Sequence, residues 1–502
     1  MDITKIVSGL SISPDYKLPR YMQLVNFLAL KIQEGILPQG TKLPAERELA
    51  KLLKVSRTTI LNAYKTLEEK NLIISKQGSG TYINTINFDT RTDNAMPWDQ
   101  LFSPQYKSPL ASLLRTLIAT PTENSTISLA AGMPDPAFYP NFILNYAFEK
   151  DPFISHSEYG YLPTEGYFPL RKALADWQSD VGINSTVDQN MIVSGSQQGL
   201  YLSVKAFIEP HDYVIIETPS YLGAIQAFEA AGARILTLPP TERVNFKLLE
   251  DYLIRYRPKL MYTIPTFQNP TGRVMSLEDR QTLLRLAEHY QLIIIEDDPY
   301  SLLYYGQQPP ISLKGLDTYG GVIYLGTFSK TLLPGLRTGW VTAAQPVINR
   351  LAQEKQHVDL HSNNLSQIIL QTCLSHTILA QHLEKVRPEY KKRRDTMIFA
   401  LQRFCHEYID FTVPTGGFYI WCKMKYPISI TLLMHQAAVE GVTFVPGIAF
   451  YPNGIQSNEF RLCFVTHNET ILTEGIRRLG KLLAATSTNQ PPQKITERLP
   501  LV

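Results

Sequence analysis

Four residues that stand just past apolar runs could share one chemistry. Lys330 lies in GTFSKTLLPGLRTGW, after the run Val322–Leu325. Burial and nearby cations favour the neutral form of such an amine, which can then form a Schiff base with a carbonyl compound. A solvated surface lysine is the plainer alternative. Asp297 and Tyr300 follow Leu292–Ile295 in IEDDPY. An acid there can pair with a protonated pyridine nitrogen and keep a pyridoxal ring a good electron sink, and a tyrosine three residues on can reach the ring's phenolic oxygen. A solvated acidic turn fits the same letters. Asn269, in QNPTG, offers an amide to that oxygen, although NPTG is also simply a good turn.

A ring of this kind carries a phosphate. Ser196 and Gln197, in SGSQQGL, sit where a strand gives way to a helix, so backbone N–H groups and a hydroxyl form a cradle. Thr327, Ser329 and Arg337 close the other side, Arg337 as a two-pronged fork. Tyr221, in TPSYLG, supplies an aromatic face or is an ordinary core tyrosine. No metal is expected: His289, His357, His361 and His467 do not cluster, and Cys373, Cys405, Cys422 and Cys463 have no CxxC spacing.

These residues need elements to hold them. With 502 residues, 44% of them hydrophobic, the chain exceeds one ordinary core, and wholesale disorder is excluded. From about Ile127, short apolar runs such as MIVSGSQQGL, YVIIETPSY, LIIIEDDPY and GVIYLGTFSK alternate with helical stretches. That pattern predicts an α/β domain around a buried, mixed but mainly parallel sheet. Helices are expected at about 199–209, 276–290 and 380–404, with a mixed α/β subdomain at 410–480.

The amino-terminal part reads differently. Residues 1–88 carry 12 Lys/Arg and 7 Asp/Glu, a net of +5, and the rest of the chain nets −2. Tyr21, Leu24, Val25, Leu28 and Ile32 form one helical stripe within 21–34. ERELAKLL predicts a second helix with Leu49, Leu52 and Leu53 inward. Ser56 then caps RTTILNAYKTLEEK, whose inner stripe is Ile60, Ala63, Tyr64 and Leu67. LIISKQGSGTYI closes the module as a hairpin. Three helices and a hairpin make a winged helix-turn-helix, whose recognition helix would present Ser56, Arg57, Thr58 and Thr59 to the major groove. Arg57 can make two hydrogen bonds to guanine, Arg47 is placed for a phosphate, and Lys76 with the Gly78–Gly80 turn forms the wing tip. A small helical docking domain with solvated charges is the alternative.

The order of motifs from Leu24 to Ile83 resembles the GntR class of winged-helix repressors. Residues 125–480, with GMPDP, YLPTEGYFPLR, SGSQQGL, TPSY, NPTG, EDDPY, SK…GLRTGW and FRLCF, resemble fold-type I pyridoxal-phosphate enzymes of the class I/II aminotransferases. The resemblance implies pyridoxal 5'-phosphate as cofactor, with Lys330 the aldimine lysine, Asp297 the partner of the ring nitrogen, Tyr300 and Asn269 on the phenolic oxygen, and Tyr221 stacked on the ring. It further implies that Arg461 clamps a substrate α-carboxylate and that Tyr161 reaches a phosphate across a dimer interface.

Head and body together resemble the MocR/GabR family of bacterial transcription regulators. The expected domains are a winged helix-turn-helix at 14–84, a linker at 85–120, a cofactor-binding domain at 121–486 and a tail at 487–502. The resemblance implies a homodimer, domain-swapped head to tail, on double-stranded operator DNA. The effector would be the cofactor or a small amine or amino acid acting through aldimine chemistry. A working amino acid aminotransferase with an accessory head is the competing reading. Without a leader-like start or a long apolar window, the expected setting is cytoplasmic, with no membrane partner.

Overall fold

The computed structural model describes residues 19–33, 37, 40–70, 72–76, 79–84, 126–140, 143, 160–239, 241, 243–452 and 457–488. Gly78, the expected linker, residues 14–18 and 121–125, and 489–502 of the expected tail lie outside them. The chain divides into two compact units, Met1–Phe102 and Ser103–Val502.

In the first unit the apolar stripes become helices Arg20–Gln33, Glu46–Leu53 and Arg57–Glu69, followed by the antiparallel strands β1 (Ile73–Lys76) and β2 (Gly80–Ile83). Leu24, Leu28, Leu49, Ile60, Leu67 and Ile83 meet in a core of their own. Lys54 takes a left-handed conformation (φ 52°) and stops the second helix; the Ser56 hydroxyl then accepts from the Thr59 N–H at 3.1 Å and starts the third. Leu52, expected inward, is 40% exposed. At about 100° per residue the buried arc is centred between Leu49 and Ala50, which leaves Leu52 on the outer side.

Among its described residues the second unit has β3 (Ile127–Ser128) as its first strand. Its main sheet comprises β4 (Asn190–Val193), β5 (Tyr213–Glu217), β6 (Arg234–Leu238), β7 (Leu260–Thr263), β8 (Ile293–Asp298), β9 (Val322–Thr327) and β10 (Gly339–Thr342). Their order is β4-β10-β9-β8-β7-β5-β6, parallel throughout except for β10, which runs antiparallel to both neighbours. The central strands β10, β9, β8 and β7 are buried along nearly their whole length, so the sequence shows continuous apolar runs rather than alternation. Helices Ser196–Phe207, Leu277–Tyr290 and Ile378–Phe404 fall where the sequence predicts them.

A second, antiparallel sheet joins β11 (Ile409–Phe411), β12 (Tyr419–Met424), β14 (Val445–Pro446) and β15 (Glu459–Cys463) in the order β11-β12-β15-β14, while β13 (Val442–Thr443) pairs with β3. The last helix, Glu469–Thr488, runs two residues into the expected tail. Among the described residues no helix is long and apolar enough to cross a membrane.

Candidate cofactor site and nucleic-acid interface

The carboxyl ends of the parallel strands open into a cavity of about 380 Å³. Lys330, Asp297, Tyr300, Asn269, Tyr221, Ser196, Gln197, Thr327, Ser329, Arg337 and Arg461 all line it. Tyr161 does not: it is 87% exposed and stacks edge-on against His361, with ring centroids 5.6 Å apart.

Strand periodicity sorts the three acids at the end of β8. Glu296 and Asp298 point to one face, where Glu296 accepts the N–H groups of Leu313 and Lys314, and Asp298 accepts the Tyr324 hydroxyl at 2.9 Å. Asp297 points to the other face. Its Oδ2 accepts the Tyr262 hydroxyl at 2.7 Å, while its Oδ1 is buried with no partner. The acids are therefore not a solvated turn. Burial pushes the Asp297 carboxyl up to about 7, reinforced by Asp298 and opposed by Tyr262 and Lys330. A buried acceptor left open costs free energy, and a cation placed against it restores both the bond and the ionised form.

Lys330 lies three residues past the end of β9, and its Nζ donates to the Gly132 carbonyl at 2.6 Å. Burial brings its amine down to about 8, with the Arg461 and Arg337 cations acting in the same direction. Arg461 on β15 is buried and lies 4.0 Å over the Tyr419 ring. Its guanidinium donates to Asn269 Oδ1 at 2.8 Å and to the Ala130 carbonyl at 2.9 Å, and its Nε remains buried without a partner. Because Asn269 spends its oxygen on Arg461, its NH2 is left to donate. The Tyr300 hydroxyl donates to that of Tyr419 at 3.2 Å.

The opposite wall suits an anion. Helix Ser196–Phe207 begins at Gly195, whose φ of 95° favours glycine, and its first turn borders the cavity. A Cβ on Gly195 would stand 2.9 Å from an Arg337 nitrogen, so a larger residue there would also push the guanidinium from its place. Arg337 further contacts the Ser329 hydroxyl at 3.5 Å and the Ser194 carbonyl at 3.3 Å. The Gln197 side chain accepts the Tyr221 hydroxyl at 3.0 Å and so fixes that ring.

Sequence reasoning missed Tyr262, Tyr419, Gly132 and Asp359. The Asp359 carboxylate accepts from Gln198 at 2.8 Å and Ser194 at 3.3 Å, with the buried Lys355 ammonium on its other oxygen, and so braces the anion-facing loop. No local signal separates these residues from core or surface ones; only the tertiary contacts do.

In the head, Ser56, Arg57, Thr58 and Arg47 are exposed and Thr59 is half-buried. The Ser56 and Thr59 hydroxyls bond each other at 2.8 Å. One Glu46 carboxylate oxygen accepts both Nε and one terminal nitrogen of Arg57, at 3.1 and 3.0 Å. On the wing, the Lys76 and Lys42 ammoniums lie 5.4 and 5.7 Å from the Tyr82 ring centroid. Gly80 has a φ of 117°, and a Cβ there would stand 2.8 Å from Lys42 Cε.

Sheet order and cavity together define a fold-type I, aminotransferase-like body, an architecture that implies pyridoxal phosphate, in a chain that also holds a winged helix-turn-helix. Comparison with known proteins agrees. Residues 148–479 match the family of class I and II aminotransferases, and residues 20–83 match the gntR family of bacterial regulatory proteins. The HTH-type transcriptional regulator YdfD of Bacillus subtilis, itself uncharacterized, is 33% identical over 93% of this chain and 97% of its own length. Aromatic-amino-acid aminotransferase 1 of Thermococcus litoralis is 38% identical over 77% of this chain and 95% of its own. The crystal structure of the multiple substrate aminotransferase of Thermococcus profundus superposes with a TM-score of 0.74 at 36% identity, covering 79% of this chain and all of that one. The chain belongs to the MocR/GabR family, in which a GntR-type head is fused to a class I and II aminotransferase body.

Proposed function

We propose that this chain is a pyridoxal-phosphate-dependent transcription regulator that senses the cofactor, a small amine or amino acid, or both, and reads operator DNA through its head. In this reading residues 14–84 and 121–486 are the two working domains, joined by 85–120 and followed by a tail from 487. The chain acts as a homodimer, domain-swapped head to tail, in a cytoplasmic setting. The buried, unpartnered Asp297 Oδ1 beside the depressed amine of Lys330 carries the reading, in a chain that also bears an exposed recognition helix.

Bound in the cavity, the cofactor would supply an aldehyde that takes up primary amines and a ring that withdraws electrons. Lys330 holds it covalently. Asp297 keeps the proton on the ring nitrogen, and Asn269 and Tyr300 steady the phenolic oxygen. Tyr221 covers one face. The first turn at Ser196 and Gln197, with Thr327, Ser329 and Arg337, takes the phosphate. Arg461 takes an effector carboxylate. Tyr161, too exposed to serve its own cavity, serves that of a second copy. A ligand regulates here only if it favours one arrangement of the heads over another.

Covalent uptake tests the cofactor assignment. The neutral amine is the reactive form, so uptake should accelerate as pH rises and level off above about 8, where Lys330 has lost its proton. Borohydride trapping from pH 6.5 to 10.5 (roughly the span between a depressed and an ordinary lysine), followed by peptide mapping, should place the label on Lys330. A rate still climbing near pH 10, or a label on another lysine, contradicts the assignment.

The wing tests the DNA assignment. Replacing Lys76 or Lys42 by Gln should weaken binding to every sequence alike and reduce the slope of log affinity against log salt by about one each, as expected for a lost phosphate contact. A changed base preference with an unchanged slope would place these lysines elsewhere.

The aminotransferase reading rests on the completeness of the ring-binding set and on the likeness to aminotransferases. Sustained keto-acid production from an amino donor, at about 1 per second or more, would favour it. An operator shift on adding cofactor or amine, without turnover, favours the regulator.

A further inference from the structure

We infer that Glu46 is a specificity-determining positioning residue: it orients Arg57 so that one guanidinium edge faces a guanine. The inference rests on reading the head as a DNA-binding module, and goes beyond it by naming the residue that aims the contact. Arg57 opens the third helix, exposed at its groove-facing end, and Glu46 opens the second. They stand eleven positions apart, and the tight turn through Lys54 and Val55 brings them together. One carboxylate oxygen takes the hydrogens on Nε and on one terminal nitrogen, which occupies one edge of the planar fork.

Two of the three remaining hydrogens project from the adjacent edge, one from each terminal nitrogen. Two parallel donors of that kind match the O6 and N7 acceptors of guanine in the major groove. An arginine side chain free in solution samples many rotamers and loses that freedom on binding. Here the side chain is 54% exposed yet already held at its inner edge, so part of that ordering precedes DNA contact. The carboxylate has a second effect. It sits on a face meant for phosphates and repels them, so it weakens contact with any duplex while sharpening the choice among duplexes.

Those two effects have opposite signs, and removing Glu46 separates them. A duplex site is first selected in vitro from random sequence with the wild-type full chain, and the base facing Arg57 is located by substituting each position. Glu46→Ala should then bind random-sequence duplex at least as tightly as wild type, and discriminate at the guanine position on the order of tenfold less. Glu46→Gln keeps an oxygen acceptor and should retain most of the discrimination. In an Arg57→Ala background, Glu46→Ala should have no further effect on discrimination. Circular dichroism confirms that each variant is folded.

Equal gains by Glu46→Ala on selected and random duplex would overturn the proposal and make Glu46 a decoy that must release Arg57. A loss of discrimination that persists without Arg57 would overturn it too. Failure of the wild-type chain to select any duplex would instead strike the DNA-binding reading itself.

Discussion

Replacing Lys330 by Ala should abolish covalent cofactor retention and, with it, any change in operator binding on adding pyridoxal phosphate or an amine. Among the described residues Lys330 is the one that lines the cavity with a primary amine, and burial brings that amine down to about 8, so more of it is in the reactive neutral form near neutral pH than in an ordinary lysine. Without it, the cofactor would be held only by the phosphate-facing loop, the Asp297 carboxylate and ring contacts. Those contacts are noncovalent and exchange with solvent, so gel filtration should strip the variant while wild type stays yellow. Intact mass after borohydride treatment should show one added phosphopyridoxyl group on wild type and none on the variant. Operator titrations, with and without cofactor and amine, provide the second readout. A variant that responds like wild type would mean that the body does not sense through Lys330 and that covalent attachment is not part of the regulatory signal.

Local signals explain why so much of the head is legible in the sequence. Ser56 caps a helix by bonding a residue three positions on, and the stripe Ile60, Ala63, Tyr64 and Leu67 is buried as its spacing requires. Leu52 misleads because it stands three residues after the buried Leu49, a spacing that reads as one face, whereas the buried side of this eight-residue helix is turned toward Ala50. In the body, strand ends are readable because an apolar run stops where Asp297 or Lys330 begins. What the sequence does not reveal is which partner each group meets. Tyr262 reaches Asp297 from the neighbouring strand, and Tyr419 and Gly132 come from the second sheet and from the segment 126–140. These contacts depend on sheet order, and no spacing rule encodes that order. Tyr161 marks a further limit, since its place in the single chain is out in solvent.

Arg461→Ala should erase the preference of the site for amino acids over the amines that lack their carboxylate. Arg461 is buried in the cavity wall, backed by the Tyr419 ring at 4.0 Å and the Phe450 ring at 5.0 Å, and its Nε has no partner. Two of its donors are spent on Asn269 and the Ala130 carbonyl. Both of those acceptors are neutral, so an arriving carboxylate, which adds a full opposite charge and can take two parallel N–H bonds from the fork, competes with them. At about 1.5–3 kcal/mol for a hydrogen bond to a charged group, losing even one such bond corresponds to roughly ten- to a hundredfold in affinity. The amine arm of the comparison engages the cofactor but not Arg461, so the ratio of amino acid to amine affinity isolates the carboxylate contact. Truncation also frees the Asn269 oxygen. Arg461→Lys therefore serves as the partner variant: it keeps a cation but loses the fork, and its ratio should fall between the other two. Titrating the cofactor absorbance with an amino acid and with its decarboxylated amine, in all three proteins, measures the ratio directly. If wild type and Arg461→Ala show the same ratio, the carboxylate is bound elsewhere, and Arg461 serves only to hold Asn269 and the Ala130 segment in place.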